Sequence, residues 1–538
     1  MKKQIDMVQR MPDFPQPYYM RDWRQVALDF DRLVFDENLK GDFLPMIWMD
    51  EANETFGLPS YVCASDKKQG PRHEGITCMA AVVGASLVGV DKARQQRDYV
   101  SMCQCYFNEA DGIVLNNPGG KSGGSIWYDC YSSILFNMLA RLYPGNKRLD
   151  DIRKKTADSF VAAINQLSGG GKYTGNYNFT GYDFRNMRPL ANGRWLEPEG
   201  AAGMAWIAGA AYQCYGEEKY LSAARQALQF LQELNANPYY EILLPFGVQL
   251  AGWLNATQGD RWDVDKLINW CFGGDSYCRH GWGVMDERWG DQDCSGLCGS
   301  RTDHGLRYGV DMPSAIRKAH GGYAFVTNTY SMLGALLPLS KYDKAYARDL
   351  GKLALNTLNA SRLFYPGFHD AKHQSCGFWH GDPYDCLAYE GLRKRWDGQE
   401  PYATGDPIRY AWDAIDIGLY GSAHVGLLGA LAEQTEVEGI LRLNLNATDF
   451  LGDQEIPAYL YFNPYGETKQ ISLAWMEGCS AYDALSGRIV QRFIDLPAGG
   501  AALLRPLPRD AGQLHRDGNT LKCGDTIIDY QPDNESWP

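Results

Sequence analysis

The sequence predicts a mainly α protein: an (α/α)6 barrel followed by a small C-terminal antiparallel β domain. Three observations predict it. Twelve segments between residues 22 and 432 have helical length or apolar spacing and alternate between two kinds. The connections between them alternate between short and long. After Glu433 the apolar period changes from helical to two.

The first kind of segment is amphipathic and charged on one face: 21–35, 92–107, 149–167, 217–234, 264–272 and 343–361. Such helices cover a core and belong on the outside. The second kind is apolar nearly all round and rich in Ala and Gly: 75–89, 125–143, 200–215, 239–255, 320–339 and 413–433. A helix without a polar face must be enclosed by protein, so these form an inner ring of six. Inner-to-outer turns are short, as at Gly89-Val90-Asp91. Outer-to-inner connections are mostly long: 37–74, 108–124, 168–199, 273–319 and 362–412. Long connections in a compact domain are usually functional, and these five open at the end where the inner helices begin.

The expected boundaries are an arm at 1–21, the barrel at 22–436, a β domain at 437–508 and an extension at 509–538 whose shape is unreadable. Strands are expected at 458–462, 469–473, 488–493 and 501–504, separated by turns such as Asn463-Pro464-Tyr465-Gly466.

With 538 residues and 22% charged side chains the chain is an ordinary folded protein. A formal charge of −13 disfavours nucleic acid and anionic membranes as partners. The first twenty residues carry no signal-like apolar run, and no stretch reaches membrane-spanning length. A cytoplasmic protein with reduced thiols among its 14 cysteines is therefore expected. Cys103/Cys105 and Cys294/Cys298 lack a second pair at zinc-site spacing, so no metal and no cofactor are expected.

The loop ends mix carboxylates with aromatic rings, the lining a sugar needs for its apolar faces and hydroxyls. Trp48, Asp50, His73 and Glu74 precede the first inner helix, and Trp127 opens the second beside Tyr128 and Asp129. Trp195, Glu197 and Glu199 precede the third, and Glu241 the fourth. The loop 282–293 brings Trp282, Asp286, Trp289, Asp291 and Asp293 as a subsite or lid, without EF-hand spacing. His320 opens the fifth, and Tyr389, Glu390 and Trp412 lie before the sixth. A carboxylate in a first helical turn also suits the helix dipole, so capping stands beside substrate binding as a reading of Glu74, Glu199 and Glu241.

In a six-membered ring the third and sixth helices are opposite, which sets Glu199 across from Glu390. Two carboxyls flanking a sugar are what acetal cleavage requires. The alternating helices from 22 to 432 and the trailing strands resemble the six-hairpin glycosidase superfamily. Its glucoamylase-like members carry an acid before the third inner helix and a base before the sixth. The resemblance implies Glu199 as acid and Glu390 as base, with Asp406 and Asp413 as competitors for the second role. A glycoside hydrolase acting on an oligosaccharide, with inversion, is the expectation. A lyase or epimerase is the main rival, drawing on His73, His320, His373 or Tyr323 as base and Arg301, Arg307 and Arg317 for a uronate. A non-catalytic carbohydrate-binding protein is the other.

Overall fold

The computed structural model describes residues 3–41, 43–62, 73–302, 319–377, 381–406, 416–452, 456–507 and 514–530. Six inner helices form a closed ring: Gly75–Leu87, Ile126–Leu142, Gly200–Tyr215, Leu243–Gln258, Val326–Leu336, and a sixth broken into Leu419–Ser422 and Val425–Leu431. Each packs on the next, and the sixth returns to the first. Small residues make that closure: a Cβ on Gly426 would lie 2.2 Å from the Gly84 Cα.

Outer helices Trp23–Val34, Lys147–Ser168, Glu218–Glu233, Val264–Gly273 and Ala347–Ser361 each bury one stripe against this ring. The outer helix expected over 92–107 is reduced to one turn, Tyr99–Met102, and a 3-10 turn, Cys103–Tyr106. Asp91 accepts the Ala93 N–H through its side chain, and a helix starts only where Asp98 accepts the Ser101 N–H. Such local side-chain bonds compete with helix.

The fifth inner helix begins at Val326 rather than 320, because Ala319–Phe325 is a strand. It is the centre of an antiparallel sheet made from the long loops, in the order Tyr402–Thr404, Gly391–Trp396, Ala319–Phe325, Cys298–Ser300, Trp282–Val284. This sheet walls one side of the barrel end that the long loops build.

The C-terminal sheet starts at Ala432, continuing the last inner helix. It runs Ala432–Gln434, Leu441–Asn444, Tyr459–Phe462, Ala501–Pro506, Ala481–Asp483, Arg488–Val490. The single strand expected over 488–493 is divided, since Phe493–Leu496 pairs instead with Lys469–Ser472. The extension holds a meander of Leu514–Asp517, Thr520–Cys523 and Thr526–Asp529. Thr448 reaches Gly334 and Leu427, so the β domain meets the ring at the end away from the long loops.

The N-terminal arm runs along outer helix Ala347–Ser361. Asp349 accepts the Ile5 N–H at 2.8 Å and Gln9 Nε2 at 2.7 Å, and Asn359 accepts the Tyr19 N–H at 2.8 Å. No described helix is long and apolar enough to cross a membrane, and the described cysteines are unpaired.

Candidate active site

The residues heading the inner helices converge at one end of the ring. Glu390 immediately precedes strand Gly391–Trp396, and its carbonyl accepts the Val326 N–H, which sets it beside the start of the fifth helix. Its Oε1 accepts the Tyr61 hydroxyl at 2.6 Å. Its Oε2 accepts the Asp406 N–H at 2.5 Å and the Tyr323 hydroxyl at 3.4 Å. Gly405 permits this approach, because a Cβ there would stand 2.7 Å from Glu390 Oε2. Burial pushes the Glu390 pKa up to about 8, with the Asp406 charge adding to it.

Asp406 leans on Arg393, whose guanidinium is 3.8 Å away and stacks on the Tyr323 ring. Asp406 also acts through its charge on Glu241, which pairs with Arg279 at 3.1 Å. Burial raises Glu241 to about 7, opposed by Arg279. Arg279 is fixed by stacking on Tyr240 and Trp282, 4.4 and 4.1 Å from their ring centroids. Trp282 is itself enclosed, so it serves the site from beneath.

Among the described residues, Tyr128 and Tyr420 add to the lining. Both lie within the fields of Glu74 and Glu241 and close to one another, joining the first, second, fourth and sixth helices. Tyr128 stays 40% exposed although protein surrounds it, as expected for a ring on the wall of a concavity. Glu74 occupies the N-cap position without capping its helix through its side chain, and is half-buried. Among the described residues, Glu74, Glu241, Glu390 and Asp406 are thus partly exposed carboxyls set among tyrosines, with the Oε2 of Glu74 itself buried.

Other expected residues lie elsewhere. Glu199 is fully buried. Its Oε1 accepts the Glu241 N–H at 2.7 Å and its Oε2 the Leu244 N–H at 3.1 Å, so it secures the start of the fourth inner helix. The expectation that it faces substrate is corrected: both oxygens are engaged with backbone and no surface is left. Burial still raises it to about 7 against those donors. Glu197 is likewise enclosed, accepting from Ser125, the Trp127 N–H and Trp195 Nε1.

Asp50 and His73 form an enclosed chain with Tyr106, 3.1 Å from Asp50 Oδ2 to His73 Nε2 and 2.6 Å from Nδ1 to the Tyr106 hydroxyl. Trp48 packs edge-on against His73. Trp127 is buried and supports Tyr128 edge to face at 4.7 Å. Tyr389 is buried, its hydroxyl donating to Gln374 and accepting the Cys376 N–H.

The acidic loop is no lid over this mouth. Asp286 pairs with Arg10 and Arg301, Asp293 accepts the Gln16 N–H at 2.6 Å, and Trp289 is buried. Asp291 is exposed, and its carbonyl accepts from Arg288. The loop docks the N-terminal arm. His320 belongs to a strand rather than a helix start, while Trp412 and Asp413 lie outside the described residues.

Of the groups on which the proton-abstracting rival drew, His73 is enclosed, His373 bonds the Pro401 carbonyl and Arg301 is engaged by Asp286. Arg307 and Arg317 lie outside the described residues. Tyr61, Arg279, Arg393 and Tyr420 were not singled out from sequence as sugar-site residues. The expected residues that do meet here are Glu74, Glu241, Glu390 and Asp406, together with Tyr323, which the rival reading had named as a base.

No family model and no curated protein matches the sequence. Among solved structures, a family 76 glycoside hydrolase from a bovine Bacteroides thetaiotaomicron strain is similar at 11% identity over 76% of this chain and 77% of that one, TM-score 0.42. A GH127 β-L-arabinofuranosidase from Geobacillus stearothermophilus T6 is similar at 13% identity over 95% and 85%, TM-score 0.38. An unsaturated glucuronyl hydrolase from Streptococcus agalactiae is similar at 11% identity over 66% and 90%, TM-score 0.30. At such identities the chemistry of this chain rests on its own side chains.

Proposed function

We propose that the chain is a glycoside hydrolase acting on an oligosaccharide, with Glu390 as proton donor and Glu241 as the base that activates water. One observation carries the reading: the partly exposed carboxyls of Glu241, Glu390 and Asp406, brought from two loops, gather among Tyr61, Tyr323, Tyr128 and Tyr420, and burial pushes the Glu390 pKa up to about 8. In the step, Glu390 gives its proton to the glycosidic oxygen as the bond to the anomeric carbon breaks. Glu241 takes a proton from the water whose oxygen bonds that carbon. Burial, with the Asp406 charge adding to it, favours the protonated form of Glu390, and Tyr128 and Tyr420 offer ring surface and hydroxyls to the sugar.

Donor and base come from different loops and have Asp406 as a common neighbour. Inversion is part of the proposal, with water attacking as the bond breaks; proton NMR of the first-formed anomer checks it, and a retained anomer would make Glu241 a nucleophile instead. Glu390→Gln and Glu241→Gln should each lower turnover of oligosaccharides by roughly a hundred- to ten-thousandfold with unchanged circular dichroism. Substrates come from a panel of para-nitrophenyl glycosides and the corresponding disaccharides. Full activity in either variant removes that residue from its role.

A further inference from the structure

We propose that Tyr61 is a positioning residue for proton donation: its hydroxyl stabilises the carboxylate that Glu390 becomes when its proton leaves. The inference rests on Glu390 being the donor.

Tyr61 comes from the connection before the first inner helix, 329 positions away from Glu390 in sequence, yet its hydroxyl lies 2.6 Å from Oε1. Its backbone surroundings hold it there. Val62 N–H donates to the Ile417 carbonyl at 2.9 Å and Tyr420 N–H to the Ser60 carbonyl at 3.1 Å. The chain at Gly418 runs so close that a Cβ would stand 2.4 Å from the Ser60 oxygen. Tyr61 is thus fastened to the segment that also carries Tyr420.

The donor pattern around Glu390 suits the ionised form. Oε1 receives Tyr61, and Oε2 receives the Asp406 N–H and, more distantly, Tyr323. A neutral carboxylic acid needs few donors, whereas a carboxylate accepts at both oxygens. Burial and Asp406 disfavour the ion, so the moment of proton transfer is the moment at which fixed donors matter most. The proton passes from Glu390 to the departing oxygen, which keeps the electron pair of the broken bond. The charge left on Glu390 is met by hydrogen bonds already formed. Tyr61 remains a donor throughout, because burial and Glu390 hold its own hydroxyl protonated.

The test compares Tyr61→Phe on two glycosides of the sugar that the panel identifies. A methyl glycoside needs the proton and a dinitrophenyl glycoside leaves without it. The variant should lose roughly ten- to a hundredfold in kcat/KM on the first and no more than about threefold on the second. Equal losses on both, or none on either, overturn the proposal.

Glu390→Gln on the same pair separates the two claims. If it treats both glycosides alike, Glu390 is not the donor and the role of Tyr61 falls with it. If it discriminates and Tyr61→Phe does not, only the role of Tyr61 falls. A second measurement needs no substrate. In difference infrared titration, the carboxyl band absent from Glu390→Gln should move its midpoint upward from about 8 when Tyr61 is Phe. An unmoved midpoint counts against the proposal.

Discussion

The Glu199 carboxylate accepts the Glu241 amide at 2.7 Å, so a fully buried glutamate sets the position of a partly exposed one. The two were indistinguishable as acidic residues heading inner helices. Glu199 has helical backbone angles, φ −65° and ψ −10°, and its side chain crosses to the neighbouring helix start.

Glu199→Gln should therefore behave as a stability variant. Gln retains one carbonyl acceptor for two backbone amides and places an NH2 against the other. The expected loss is about 1–3 kcal/mol, read as a lower urea midpoint. Turnover by the folded fraction should fall less than about tenfold, against at least a hundredfold for Glu241→Gln. A Glu199→Gln enzyme of full stability and no activity would reverse this assignment.

The pH profile follows from the two raised carboxyls. Glu241 must be ionised to accept a proton, so activity is lost as pH falls through about 7. Glu390 must be protonated to donate, so activity is lost as pH rises through about 8. The optimum lies between. Arg279 pulls Glu241 down, so Arg279→Met should move the acid limb to higher pH and narrow the bell while leaving the alkaline limb in place. Movement of the alkaline limb alone would mean that Arg279 serves Glu390 instead.

How much of this was legible in sequence depended on how local each cause is. The helix Gly200–Tyr215 could be read to the residue, because its lack of a polar face admits one environment and Gly216 ends it in the left-handed conformation, φ +68°. Strand Ala319–Phe325 could not, because its pairing partners lie at 298–300 and 391–396 and its apolar residues run straight into a helix. Glu390 and Glu241 stood out as acids at loop ends. Tyr61, Arg279 and Arg393 acquire meaning only through contacts made across the ring. The tryptophans and aspartates of loop 282–293 have the composition of a sugar site, and Trp282 does lie beneath Arg279, while Asp286 and Asp293 turn to other contacts. Its partner is the N-terminal arm, through Arg10 and Gln16, and no local pattern reveals that.

The junction between barrel and β domain gives the last prediction. Asp449 Oδ2 accepts Lys341 Nζ at 2.7 Å and the Tyr342 hydroxyl at 2.5 Å, with neither charge exposed. Its Oδ1 accepts the Leu451 and Gly452 amides at 3.2 and 3.0 Å and Gln249 Nε2 at 3.3 Å. One carboxylate thus holds the turn that follows the fifth inner helix and the turn that caps the ring. Removing one partner of an enclosed ion pair leaves the other charge in a poor solvent, so Asp449→Asn should cost about 3–5 kcal/mol. Adding Lys341→Met should recover part of that loss, since the stranded ammonium is then gone. Because the pair joins both domains, tryptophan fluorescence and far-ultraviolet circular dichroism should report the same lowered urea midpoint. A loss below about 1 kcal/mol, or two separated transitions already in the parent protein, would show that the domains are held together elsewhere.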